Sequence, residues 1–211
     1  MESQVRGGTR WKRFAVVMVP SVAAAACVGV GLAQGALAAS FSVSGQQFKV
    51  SADHLKGTGF AQYGGIDTVY ETVEGKKQKK VPVAISSFKS AKITNMCQSV
   101  KTPIPGIGNI YLRLEAGKDD PVQAKNLYID VAQLDANATF EDIDIGVAVR
   151  DQNKGPDVKP GDSVLPGGFA QQAKTATLTR VEQTAWATTA GTFTLNGLSM
   201  RLGTSEKMEC F

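Results

Sequence analysis

The sequence is short of the residues that most catalysts use. It has one histidine, His54, and three cysteines among 211 residues. That supply excludes most histidine-based acid–base chemistry and nearly every zinc-site design. No phosphate loop, dinucleotide fingerprint or paired-cysteine metal motif occurs. Beyond residue 40 no apolar stripe of helical period reaches helix length. Charge of one sign is also scarce in the body. Arg6, Arg10, Lys12 and Arg13 face only Glu2 in residues 1–38, whereas the rest holds 19 basic and 18 acidic groups. A near-neutral body removes the electrostatic basis of a general nucleic-acid role. The overall balance, 43% apolar and 20% charged, argues against disorder, a collagen-like repeat or a polytopic membrane protein. The length favours one domain.

What is present begins with the N-terminus. Four basic residues precede an uncharged run from Phe14 to Leu32, and small residues follow it. A basic region, an apolar region and a small-x-small site make an export signal. Ala36 and Ala38 fit the two small positions, so the sequence predicts cleavage after Ala38 and an exported body of residues 39–211. The alternative is an uncleaved anchor. As helix, residues 14–32 span roughly 28 Å, about the hydrocarbon thickness of a bilayer. Membrane contact then runs through residues 14–32. Both outcomes place the body outside the cytoplasmic membrane, either secreted or attached to its outer face. Cys27 lies inside the apolar run and reads as a small hydrophobe.

Removal of the signal leaves Cys97 and Cys210. An even cysteine count in an oxidising compartment predicts one disulfide between them.

The body reads as strand. Val81, Val83 and Ile85 alternate with polar neighbours. So do Ile110, Leu112 and Leu114, then Leu127, Ile129 and Val131, then Ile143, Ile145 and Val147. Period-two spacing with many Thr, Val and Ile predicts half-buried antiparallel strands. The expected fold is all-β: a single antiparallel β-sandwich, jelly roll or β-solenoid-like domain after an N-terminal apolar helix. Between Phe140 and Ile143 the apolar parity switches, which predicts a bulge or break. Asn196-Gly197 separates Phe193-x-Leu195 from Leu198-x-Met200 and predicts a hairpin. Residues 151–168 hold Pro156, Pro160 and Pro166 with four glycines and read as a long loop.

Candidate chemistry is thin. Gly161-Asp162-Ser163-Val164-Leu165 is similar to the start of a GDS-type lipase motif. A serine nucleophile needs a base in hydrogen-bond reach, and His54, the one histidine, lies far upstream. The reading is therefore a turn that carries a serine, with no catalytic residue assigned. Asp142 and Asp144 fall on one face of a strand beside Glu141. They are weak candidates for a hard cation and are better read as a solvated face. Lys76, Lys77, Lys79 and Lys80 form the densest basic run, a solvated tip or a patch for anionic head groups. No cofactor is expected.

Three stretches carry a family resemblance. They are MESQVRGGTRWKRFAVVMVPSVAAAACVGVGLAQGALAASFSVSGQQFKVSADHLKGTGFAQYGG, AKNLYIDVAQLDANATFEDIDIG and QTAWATTAGTFTLNGLSMRL. Together they resemble an uncharacterised family of small exported actinobacterial proteins of streptomycete type. Some members bear the label cholesterol esterase. The resemblance implies export and, through that label, a lipid-ester hydrolase. The missing serine–base pair speaks against hydrolysis. The expectation is an exported cell-envelope β protein that binds an apolar or lipid ligand or a membrane-protein partner, without nucleic acid. A structural surface component and an esterase are the alternatives.

Overall fold

The computed structural model describes residues 44–70 and 77–211. The export segment, with Ala36 and Ala38, and Lys76 lie outside the described residues. The described residues form seven strands: β1 (Phe48–Tyr70), β2 (Gln78–Thr94), β3 (Met96–Ile104), β4 (Gly108–Ala116), β5 (Val122–Ala148), β6 (Phe169–Thr194) and β7 (Ser199–Gly203). Two short 3-10 turns, Val149–Asp151 and Glu206–Met208, accompany them. All pairings among the named strands are antiparallel. The all-β antiparallel character is as the alternation predicts.

Two long hairpins dominate. In the first, β1 pairs along its length with β2 and then β3, from Tyr70↔Gln78 to Phe48↔Val100. The register is continuous across Asn95, so β2 and β3 act as one bent partner. In the second, β5 pairs with β6 from Gln123↔Thr194 to Ala148↔Phe169. The hairpins join at both edges. β2 pairs with β5 between Ala84↔Val131 and Ile93↔Val122. The start of β1 pairs with the middle of β6, Phe48↔Ala185 to Ala52↔Val181. The pairings therefore close a circuit, β1–β2–β5–β6–β1. β3, β4 and β7 extend from it as a wing.

The strands bend because they change phase. Asn95, Asn126, Asp142 and Arg180 have φ values of 51°, 47°, 55° and 52°, and Gly59 has 62°. A left-handed residue in a strand adds one position to a face, so the inward set advances by three rather than two. Ile93 and Met96 point inward on either side of Asn95 in this way. Ala124 and Leu127 flank Asn126, Phe140 and Ile143 flank Asp142, and Leu178 and Val181 flank Arg180. The parity switch read between Phe140 and Ile143 is this irregularity at Asp142. Asn and Asp tolerate the conformation through local hydrogen bonds, and the Asn95 amide donates to Asp53 Oδ2 at 2.6 Å.

Inside the circuit, Phe60 stacks between Phe88 and Phe140, with ring centroids 5.3 and 5.2 Å apart. Leu55, Ile93, Leu127, Ile129 and Val181 fill the space around them. Outside the circuit a second cluster forms on Tyr63, Val83, Ile85 and Ala187. It is roofed by a strap, residues 152–168, whose Val158 and Val164 pack onto it.

The strap is irregular but pinned. Asn153 N–H and Lys154 N–H both donate to Gln172 Oε1, at 2.8 and 3.0 Å. Tyr128 hydroxyl donates to the Asp157 carbonyl at 2.8 Å. Ile66 N–H donates to the Ser163 carbonyl at 3.1 Å, forming an isolated bridge.

One sequence expectation is corrected. Asn196-Gly197 does not close a hairpin between β6 and the last strand. β7 pairs with β4, Leu112↔Leu202 and Leu114↔Met200. The reason lies in the hydrogen bonds of Asn196. Its carbonyl accepts from Gly117 N–H at 2.8 Å and its amide donates to the Pro121 carbonyl at 3.0 Å. These bonds carry the chain across to β4, while β5 already occupies the end of β6 through Gln123↔Thr194.

Candidate functional site

The alternation that buries Phe60, Phe88, Ile129 and Leu178 on one face leaves a gap between the two hairpins. The gap is a cavity of about 140 Å³. β1 contributes Leu55 and Phe60, β2 Phe88, β5 Ile129 and Phe140, and β6 Leu178 and Val181. Ala136 and Ala138 on β5 form its exposed rim. Three polar side chains also line it, Gln62, Ser86 and Gln183. Gln62 amide donates to Ser86 Oγ at 2.9 Å and accepts from the Gln171 amide. Among the described residues no ionisable group lines the cavity. Its lining is mainly apolar, and apolar cavities of comparable volume take up molecules of benzene size.

On the outer face, the strap brings charge together under cover. Lys159 Nζ lies 3.7 Å from Asp130 Oδ2 and 3.4 Å from Asp162 Oδ1. Asp67, on β1, belongs to the same group. Asp130 is 2% exposed. Burial pushes its carboxyl up to about 6, opposed by Lys159 and reinforced by the charges of Asp67 and Asp162. Burial also raises Asp67 and Asp162, each against the pull of Lys159. The buried Tyr63 phenol is pushed up by burial first and by Asp162 next. Among the described residues, one carboxyl oxygen on each of the three aspartates has no hydrogen-bond partner. Three carboxylates around one ammonium in a covered site cannot all hold full charge cheaply.

The residues singled out from sequence are placed as follows. Cys97 and Cys210 are bonded, with Cα atoms 5.9 Å apart. Asp142 and Asp144 converge on the Lys154 ammonium, at 3.1 and 2.9 Å. That hydrogen bond holds the Asp144 carboxyl below its ordinary value. An ammonium thus sits where a cation was weakly expected. Lys77, Lys79 and Lys80 are exposed at the β1–β2 tip. His54 pairs with Thr94 near the start of β1, whereas Ser163 bridges to Ile66 near its end. Roughly 40 Å of strand separates those positions at ordinary rise, so Ser163 and His54 are not brought together.

Sequence reasoning missed the aspartate cluster. Asp130 alternates with Ile129 and Val131 and so reads as an outward residue. It is outward, but the strap covers it. The nearest signal was Asp162, beside the serine of the lipase-like turn.

A model of a protein family matches residues 44–211, which takes in every described residue. The chain belongs to DUF6230, a family of unknown function. No curated protein and no solved structure matches it. The DUF6230 match covers both hairpins, the strap and the wing, so cavity and aspartate cluster lie inside the family's own domain. The match bears out an uncharacterised family; the exported, actinobacterial character rests on the sequence stretches alone.

Proposed function

We propose that this DUF6230 chain is an exported, non-enzymatic protein of the cell envelope whose β core holds the end of an apolar chain. The observation that carries the reading is the uncharged cavity inside the circuit, with its exposed rim at Ala136 and Ala138. Its volume of about 140 Å³ suits a short run of methylenes or a terminal branch, not a fused ring system. That size argues against a sterol body as the occupant, and hence against the cholesterol esterase label of the actinobacterial proteins that the sequence resembles. The separation of Ser163 from His54 argues the same way. The N-terminal basic and apolar pattern supports export.

A second reading, a structural surface component, draws on one observation. Met200 and Leu202 on the edge strand β7 are 63% and 70% exposed, and an apolar sheet edge invites pairing.

Native mass spectrometry of the gently purified protein separates the two. The expected result is a monomer with an added lipid mass that disappears in Ala138→Phe, a substitution at the exposed rim. An apo-protein recovered even from membrane fractions sinks the apolar-ligand reading. An apo-oligomer transfers the weight to the structural one.

A further inference from the structure

The outer face of the circuit has two parts. From Gly59 to Asp67 the strap covers it. A Cβ at Gly59 would lie 2.9 Å from the Lys154 carbonyl, which marks the strap's margin. On the other side of Gly59 no described segment covers the face. There the cross-strand register fixes which side chains are neighbours. Lys56 stands directly opposite Lys92. Lys125 stands opposite Ser90, one step along the next strand, and Thr192 stands opposite Lys125. Thr58 and Ser90 share a hydrogen bond at 2.7 Å in the same row. Among the described residues no carboxylate lines this surface. Among the described residues none of the three lysines has an ion-pair partner.

We infer that this lysine grid docks the protein on an anionic phospholipid surface. Three arguments lead there. Like charges directly opposite on neighbouring strands repel, so an external anion is what completes the Lys56–Lys92 pair. The residues between the lysines are hydroxyl and amide side chains, which donate to phosphoryl oxygens as ammonium groups do. The grid is also a broad hollow, open to solvent and spread over four strands. A small free anion meets one or two solvated ammoniums there, whereas a layer of head-group phosphates meets all three at once. The apolar part of its lining is Ala91 and Ala124, both buried, which keeps the contact at head-group depth. This inference does not depend on what the cavity holds.

The test is vesicle sedimentation of the full chain with phosphatidylcholine vesicles, with and without phosphatidylglycerol. Wild type is compared with K56Q/K92Q/K125Q and with K77Q/K79Q/K80Q. The second variant removes the same charge from the hairpin tip. All three proteins keep residues 1–38, so any affinity of that segment is common to them. Each lysine near an anionic surface contributes roughly fivefold. The grid variant is expected to lose roughly a hundredfold in partitioning onto phosphatidylglycerol vesicles, while the tip variant stays within about threefold of wild type. Exposed Lys→Gln changes leave the fold intact, which an unchanged or raised melting temperature verifies. Equal binding by the grid variant and wild type overturns the inference. So does an equal loss in the tip variant, equal binding to phosphatidylcholine alone, or binding of soluble polyphosphate without any binding to vesicles.

Discussion

A carboxyl at position 130 is forced under the strap by its neighbours. Ile129 and Val131 must point into the core, so Asp130 points outward, where Lys159 and Asp162 are laid over it. In the unfolded chain such a group titrates near 4. In the fold it is held at about 6, because burial outweighs the attraction of Lys159. A raised acid contributes stability that is full below the unfolded value and is lost as pH rises through the folded one. The protein is therefore expected to be more stable at about pH 5 than at about pH 8 as far as this site is concerned. Asp130→Asn keeps the shape and removes the charge. It is expected to raise stability at about pH 8 by on the order of 2 kcal/mol and to flatten the change between the two pH values. Urea unfolding at both pH values measures this. A variant that is less stable at the higher pH would mean that the Lys159 attraction exceeds the cost of burial.

At the scale of elements, the strap is held by what it lacks as much as by its bonds. A Cβ at Gly155 would lie 2.4 Å from Ala61 Cβ and 3.0 Å from Ala61 N. Neither atom is the end of a flexible side chain, so the strap has to lift to make room. Gly155→Val is expected to destabilise by about 1–3 kcal/mol. Hydrogen exchange checks where the loss falls: faster at residues 153–164, unchanged along β5 and β6. Uniform acceleration through the β5–β6 hairpin would show instead that strap and sheet open together. Such a lock is invisible in sequence, because Gly155, Ala61 and Gln172 meet only after the hairpins have formed. The Pro and Gly content of residues 151–168 says that no regular strand runs there, and nothing about where the segment lies. The strands themselves were legible, since alternation follows directly from one buried face. Their phase changes were legible too, in triplets such as Ile93-x-x-Met96 and Leu178-x-x-Val181. Only the one between Phe140 and Ile143 was read. The Asn196-Gly197 signal failed because a turn dipeptide states how a chain bends and not which strand it meets. The cavity was not readable either. It depends on β1 pairing with β6 more than a hundred residues away.

For the whole molecule, the question is what holds the wing. Among the described residues β7 pairs only with β4, and the chain then turns back so that Glu206, Met208 and Glu209 meet Tyr111 and Arg113 of β4. Arg113 donates to the Glu209 carbonyl at 2.9 Å, and Lys49 pairs with Glu209 at 2.7 Å. Cys210 N–H donates to Ser99 Oγ at 3.1 Å, next to the Cys97–Cys210 bond. These polar contacts are part-buried or exposed and individually weak. The disulfide differs in kind. Its partners are 113 residues apart in sequence, so it encloses β4, β5, the strap, β6 and β7 in one covalent loop. Closing a loop of that length restricts the unfolded chain by about 4–5 kcal/mol in the chain-entropy model. The double substitution Cys97→Ser, Cys210→Ser is therefore expected to lower the melting temperature by on the order of 10 °C. It is also expected to release residues 206–211 to rapid hydrogen exchange in the native state, while the β1–β2 hairpin keeps its protection. These two readouts separate the contributions. A lowered melting temperature with a protected C-terminus assigns the effect to the unfolded chain. A freed C-terminus with an unchanged melting temperature makes the bond a local staple of the wing, and the loop-entropy account fails.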